Sequence, residues 1–406
     1  MYEDKAPESV WLPKRRWRAL KPAWQARHNG PAEAETLGTW LYDGFVVRAA
    51  FDRLRAFDTE TGERRWTWEV PGRDVLLAMT DEVVDGVGLL AHRPDVSGGR
   101  EKATVTALDV ASGKELWSAR QDLGRLWHSG SRLRSGTVAL SGGRAMVATG
   151  ASVVALDIRT GRPAWTVPHG PADEAEIGAG SDRLVLVTSH AGTATVRSVA
   201  AADGTVHWEK PLPVDGPVER VRVVAVDPLL LAVEGEGRRG PNCLLRLDAD
   251  GNNATEISPP GDHGTTVPYA TWVLDDARRL VTWAGDTLIT FVKLPQHDYL
   301  THLAGFSLST GRHQWTWDDG WGIDALACHR GHVVALRHFE HENEGHVDWS
   351  CTAHVLDPAD GRVVARRRLR VTADKPYTMH LHGNRMLWVS KESSLGTPPV
   401  KAFDWR

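Results

Sequence analysis

The sequence has only three cysteines, Cys243, Cys328 and Cys351, and no CxxC or CxxCH spacing among them. That excludes a haem attachment site, a cysteine-built zinc site and a dense disulfide framework. Long apolar runs are also missing: no stretch approaches the roughly 18 residues of a membrane-spanning helix. The opening MYEDKAPESVWLPKRRW has no apolar centre of the kind a secretory signal needs, so the expectation is a cytoplasmic protein that engages no membrane. Neither sign of charge dominates. With 48 Lys and Arg against 52 Asp and Glu, the net charge is −4, which gives no long-range attraction for nucleic acid. Phenylalanine and tyrosine are sparse, at 7 and 5 in 406 residues, whereas tryptophan numbers 18. An excess of one large aromatic residue points to a repeated use for it.

The repetition becomes visible on aligning the chain to VVALDIRTGRPAW at 153–165. The pattern returns as LRAFDTETGERRW at 54–66, VTALDVASGKELW at 105–117, VRSVAAADGTVHW at 196–208 and LAGFSLSTGRHQW at 303–315. Weaker copies are LLRLDADGNNAT at 244–255, without the Trp, AHVLDPADGRVVA at 353–365, with Ala365 in its place, and the terminal VKAFDWR. Their register residues are Asp58, Asp109, Asp157, Ala200, Asp248, Ser307, Asp357 and Asp404, spaced by 43 to 59 residues. A period of this size belongs to propellers and solenoids, and a chain of repeats forms one body whatever its length.

Each copy predicts a hairpin. Alternating apolar residues make a strand up to the Asp, whose carboxylate bonds the backbone of the turn that follows. A glycine such as Gly113 then supplies the positive φ that a short hairpin loop requires. A second pair of apolar runs lies between copies, giving four strands per repeat, the content of a propeller blade. The last copy ends one strand short. Arg15-Arg16-Trp17 followed by Pro22 matches Arg64-Arg65-Trp66 followed by Pro71, so residues near 11–20 are expected to complete the last blade and remove its open edge. The reading is an all-β, eight-bladed β-propeller over 11–406, closed by an N-terminal strand, behind a tail at 1–10.

The motif [VL]xALDxxTGxxxW resembles the repeat of the pyrroloquinoline-quinone-like (PQQ-like) propeller family over nearly the whole chain. The resemblance implies that Trp66, Trp117, Trp165, Trp208 and Trp315 dock between blades, each indole contributing about 2–3 kcal/mol by burial. Quinoprotein dehydrogenases of that family carry an adjacent Cys-Cys pair, a calcium or lanthanide ion and a secretion signal. This sequence shows no such features, so neither quinone-dependent alcohol oxidation nor a cofactor is expected. The non-catalytic branch, bacterial proteins including an outer-membrane assembly lipoprotein and kinase-fused propellers, implies a surface used for protein contacts.

Function is sought in the second-to-third hairpins and blade crossovers, which share one face of a propeller. The segment 337–351 reads as a long polar loop with His338, Glu340, His341, Glu342, Glu344, His346 and Asp348. Its spacing matches no metal motif, so it is read as a partner-contacting loop with no metal. Crossovers place Trp127, His128, His263, Trp321, Asp324, Tyr377, His380 and His382 toward the central channel, where they would line a small-molecule pocket or supply general acid and base. Two readings follow: a scaffold that engages a protein or peptide through the loop-rich face, and an enzyme or small-molecule binder working at the channel mouth. The basic runs at 14–16 and 366–368 are read as solvated outer strands.

Overall fold

The computed structural model describes residues 17–27, 36–94, 102–123, 136–170, 172–235, 241–258, 265–266, 280–293, 301–317, 323–343, 346–369, 376–393 and 397–405. For 17–18, 265–266, 293, 301, 338–343 and 346–350 it describes the backbone alone. Two short strands, β1 (Trp17–Ala19) and β2 (Pro22–Gln25), precede eight antiparallel sheets. The first blade is β3 (Gly38–Tyr42), β4 (Phe45–Ala49), β5 (Arg53–Asp58) and β6 (Arg64–Glu69). The second is β7 (Asp74–Met79), β8 (Val87–Pro94), β9 (Ala103–Asp109) and β10 (Lys114–Gln121). Blades three, four and five follow as β11–β14 over 138–168, β15–β18 over 174–211 and β19–β22 over 218–257. In the sixth, β23 (Thr265–Thr266) and β24 (Val281–Ala284) both pair with β25 (Thr287–Lys293), which leads to β26 (Thr301–Ser307) and β27 (His313–Trp317).

The seventh blade runs from β28 (Ile323–His329) through β29 (His332–Asn343) and β30 (His346–Leu356) to β31 (Val363–Leu369). The eighth holds β32 (Pro376–His382), β33 (Arg385–Ser390) and β34 (Val400–Asp404), with β2 hydrogen-bonded to β34 as the outermost strand. The chain thus forms an eight-bladed β-propeller, and the degenerate copies around Ala200 and Asp248 each belong to a full four-stranded blade.

Apolar residues are buried in eight separate clusters among the described residues, each spanning one blade junction. The cluster joining the two ends of the ring sets Val46 and Phe57 of blade one against Leu387, Val389 and Val400 of blade eight. This distribution follows from alternation: successive side chains on a strand face opposite neighbours, so both faces of every blade are buried and the strands read as nearly continuous apolar runs.

The repeat tryptophans tie each blade to the next. Trp66 Nε1 donates to Val110 O at 2.9 Å, Trp117 to Ile158 O at 2.9 Å, Trp165 to Ala201 O at 3.0 Å, Trp208 to Ala249 O at 2.9 Å and Trp315 to Pro358 O at 2.8 Å. Each acceptor is the residue following the register position of the next copy. Trp24 extends the series, donating to Thr59 O at 3.0 Å. The closing strand is therefore β2 with Trp24, which corrects the expectation of residues 11–20 with Trp17. β1 instead adds in parallel to the outer edge of blade seven, pairing Trp17 with Arg366 and Ala19 with Arg368. Where the tryptophan is missing, arginine stands in. Arg246 Nη1 donates to Leu308 O at 3.2 Å between blades five and six, and the Arg367 guanidinium lies 6.0 Å from the Trp405 ring between seven and eight.

Asp58 shows how a turn is held. Its Oδ1 accepts the backbone N–H groups of Glu60 at 3.0 Å and Thr61 at 2.8 Å, and Arg65 reaches its other oxygen at 2.7 Å. Burial opposes ionisation, yet Arg65 and the turn amides hold the carboxyl down at about 2.

Candidate functional site

The inner strands begin at the face that carries the second-to-third hairpins and crossovers, so their first residues ring one mouth of the channel. At the junction of blades four and five this position is charged. β15 (Glu174–Ala179) contributes Glu174 and Glu176, and β19 (Val218–Val226) contributes Arg220 and Arg222. Glu234, on β20 (Leu229–Gly235), stands opposite Arg220 in register. Glu176 Oε2 accepts from Arg222 Nη1 at 2.6 Å while its Oε1 accepts the Val223 N–H at 2.7 Å. Arg222 also lies 3.6 Å from Glu174, and Arg220 lies 3.8 Å from Glu174 and 3.9 Å from Glu234.

Glu176 is 4% exposed and Arg222 5%, so both charges are out of water. Burial pushes the Glu176 carboxyl up to about 7 against the pull of Arg222 and the Val223 amide. Burial likewise raises Glu234, opposed first by Arg220. With both oxygens of Glu176 bonded, the network fastens one blade to the next. Sequence reading missed it. The available signal was a pair of like charges at i and i+2 on each of two inner strands.

A second network crosses blade two. His92 Nδ1 lies 2.7 Å from Asp74 Oδ2, and its Nε2 lies 3.1 Å from Thr106 Oγ1. Thr106 Oγ1 is 3.2 Å from Ser118 Oγ, which donates to Glu115. The chain of polar groups spans all four strands. His92 is a buried member of β8 with the Trp68 ring 5.9 Å away.

Of the residues read as channel-facing, Trp127, His128, His263 and Trp321 lie outside the described residues. Asp324 and Tyr377 take the second positions of β28 and β32, inner strands of adjacent blades, and both are half-buried. Tyr377 donates its hydroxyl to Leu37 O at 2.7 Å, and His380 Nε2 lies 3.1 Å from Thr39 Oγ1, so both side chains bridge blades eight and one. Surrounding protein pulls His380 down to about 4. His382 is not with them: it pairs with Arg385 across the hairpin turn at the far end of β32, on the opposite face of the propeller.

The segment 337–351 is a hairpin rather than the expected loop. β29 and β30 stay paired through His338↔Cys351, Glu340↔Trp349, His341↔Asp348, Glu342↔Val347 and Asn343↔His346, and Glu344 lies outside the described residues. Among the described residues, β28 last pairs at Ile323↔Arg337 and β31 at Leu369↔Cys351. Residues 338–343 and 346–350 thus form a paired two-stranded arm. Among the described residues, no three His, Cys, Asp or Glu side chains are grouped to hold a metal ion.

BamB from Moraxella catarrhalis is similar to this chain at 15% identity, over 95% of this chain and 100% of that one, with a TM-score of 0.54. Sqt1 of Saccharomyces cerevisiae is similar at 10% identity, over 95% and 99% of the two chains, also with a TM-score of 0.54. At these identities the likeness is one of fold. A comparison with curated protein sequences gives no match. A family model described as outer membrane protein assembly factor BamB matches residues 15–168, 101–237 and 149–395, overlapping as internal repeats do. With most of its length so matched, the chain belongs to this family of PQQ-like β-propellers.

Proposed function

We propose that this propeller is a non-catalytic binding protein that docks a protein or peptide on its loop-rich face, with the arm at 338–350 as the main contact. The observation that carries this reading is the arm itself. The hairpin of blade seven stays paired for six register pairs beyond Arg337↔Thr352, whereas blade three turns after Ala148 and resumes pairing at Val153. Folding a blade does not require that length. Surplus structure on the variable face of a rigid scaffold is where propellers and other β folds carry recognition.

Three further points support the reading. The family's description is that of an assembly factor, a role in bringing proteins together. His380 and Tyr377, two of the candidates for channel chemistry, are engaged between blades. Cys328 is an exposed free thiol, which suits the reducing cytoplasm in which we place the protein.

The test is a chain in which residues 339–350 are replaced by Asn-Gly, a two-residue hairpin turn that joins His338 to Cys351. The thermal midpoint is expected to stay within a few degrees, because β28, β31 and the buried parts of β29 and β30 are all kept, while the partners cross-linked to the full chain in cells are lost. A shortened chain that keeps its full set of cross-linked partners refutes the proposal.

A further inference from the structure

We infer that the charged cluster at the junction of blades four and five is a binding site for a primary ammonium group, with Glu234 and Glu174 as its acceptors. The inference rests on the docking role proposed above only for the source of that group, a lysine side chain of the docked peptide. A free alkylamine carries the same chemistry.

Three strands build the site. Glu174 opens β15, Arg220 and Arg222 stand on β19, and Glu234 is the last residue but one of β20, where the chain enters a second-to-third hairpin on the loop-rich face. Arg222 is engaged, its Nη1 donating to Glu176 at 2.6 Å. Arg220 stands 3.8 Å from Glu174 and 3.9 Å from Glu234, beyond hydrogen-bond reach of both. Glu234 is 5% exposed, and its Oε2, the oxygen that faces Arg220, accepts no hydrogen bond. A buried carboxylate oxygen without a donor is costly, and a ligand that supplies the donor recovers that cost.

Charge and size choose the ligand. Burial raises the Glu234 carboxyl; Arg220 opposes that rise, Glu219 adds to it, Arg222 opposes it and Glu174 adds to it. With Arg222 held by Glu176, the cation left to Glu234 is Arg220, which Glu174 shares. Glu219, exposed on the same strand, places a further negative charge at the rim. The missing donor is therefore a cationic one. Among the described residues no three His, Cys, Asp or Glu side chains are grouped to hold a metal ion, which leaves an organic cation. An alkylammonium puts three donors on one compact nitrogen, suited to a gap already bordered by a guanidinium. Arg220 is the side chain that yields: it is 20% exposed, and turning outward keeps its charge in water.

The probe is the pentapeptide Ala-Ala-Lys-Ala-Ala, capped at both ends so that lysine carries its only charge, offered to the full-length protein. Its control is the same peptide acetylated on the lysine Nζ, and binding is read by saturation-transfer NMR. The lysine peptide is expected to bind at least about tenfold more tightly than the control. Glu234→Gln, which keeps the side chain's shape, should weaken it about tenfold. Glu219→Gln, exposed and clear of the core, should weaken it about threefold, so the test survives a loss of folding in the first variant. Arg220→Gln removes the competing cation and should tighten it, whereas Glu82→Gln, an exposed residue between β7 and β8 on the opposite face, should leave it unchanged. Equal binding of the two peptides overturns the site, as does equal weakening in Glu82→Gln and Glu234→Gln. Displacement of the peptide by an equal concentration of n-butylammonium chloride assigns the site to free amines, and displacement only by a large excess assigns it to a peptide lysine; no displacement overturns it. If the arm-shortened chain loses its partners while the lysine peptide binds no better than its control, the docking role stands and the ammonium site falls. If that chain keeps its partners while lysine binding still depends on Glu234, the docking role falls and the site stands.

Discussion

Glu176 and Arg222 meet at 2.6 Å across the junction of blades four and five, 46 residues apart in sequence and both buried on inner strands. The carboxylate does two things at once: it neutralises the guanidinium and takes up the Val223 N–H of the neighbouring strand. The pair costs desolvation on both sides, and burial outweighs the attraction far enough to push Glu176 up to about 7.

That shift fixes the direction of a pH effect. Unfolded, the carboxyl titrates near 4.5; folded, it holds its proton to about 7. Between those values the folded state binds more protons than the unfolded one, so this group's contribution to stability falls as pH rises through the window and levels off above it. Relative to Glu176→Gln, the wild-type stability should drop steadily from pH 4.5 to 7, by on the order of 3 kcal/mol in total, read as a falling melting temperature. Parallel melting curves for the two proteins across that range contradict the assignment.

The buried histidines act in the opposite direction. Burial, with Arg366 and Arg337 beside it, lowers His354 to about 3, and burial lowers His380 to about 4. Their neutral rings favour the fold fully above the ordinary value near 6.5, and that contribution is lost as pH falls toward 4 and then 3. His354→Gln and His380→Gln should each flatten the acid limb of the stability profile, read as thermal midpoint against pH from 7 to 4. A limb as steep as in the wild type counts against the shift.

Gly113 and Gly143 separate backbone strain from a blade contact. Both have positive φ, +69° and +73°, but a Cβ on Gly113 would come within 2.5 Å of Trp66 Cδ2, whereas one on Gly143 meets nothing within 4 Å. Gly143→Ala should cost about 1–2 kcal/mol, the usual penalty for an L residue in that region. Gly113→Ala should cost about 1–3 kcal/mol more, because the indole must shift. Chemical denaturation of the two variants gives the comparison, and equal losses would remove the steric role of the tryptophan.

Trp24 closes the ring with the same hydrogen bond that Trp66 makes at an internal junction. Trp24→Ala and Trp66→Ala should therefore destabilise by similar amounts, about 3 kcal/mol each. Removing residues 1–25 should go further, since it strips β2 from β34 and exposes a strand edge. Light scattering of the truncated chain should show aggregation; a monodisperse truncated chain would mean that β2 is not what closes the ring.

Much of the fold was legible because each repeat is local. Asp58, Gly62 and Trp66 lie within one hairpin, and their recurrence at Asp109, Gly113 and Trp117 reports a blade wherever it occurs. The arm was less legible. Residues 338–350 lack the apolar alternation of a buried strand, so the segment looked like a loop until the pairing of β29 with β30 was seen. His382 was misplaced for a related reason: sequence shows that β32 has a polar stretch, and only the hairpin register shows which end of the strand faces which side.

The sequence by itself determined the blade, its turn chemistry and the number of copies, because those depend on contacts between residues a few positions apart. Only the tertiary structure decided which N-terminal tryptophan closes the ring, since Trp17 and Trp24 both lie in short strands and it is the strand of Trp24 that pairs with β34 and sends its indole to Thr59 O. It also decided that Glu176 and Arg222 share a site. A charge pair formed across a blade junction depends on where the ring brings two strands together, and no short-range pattern carries that information.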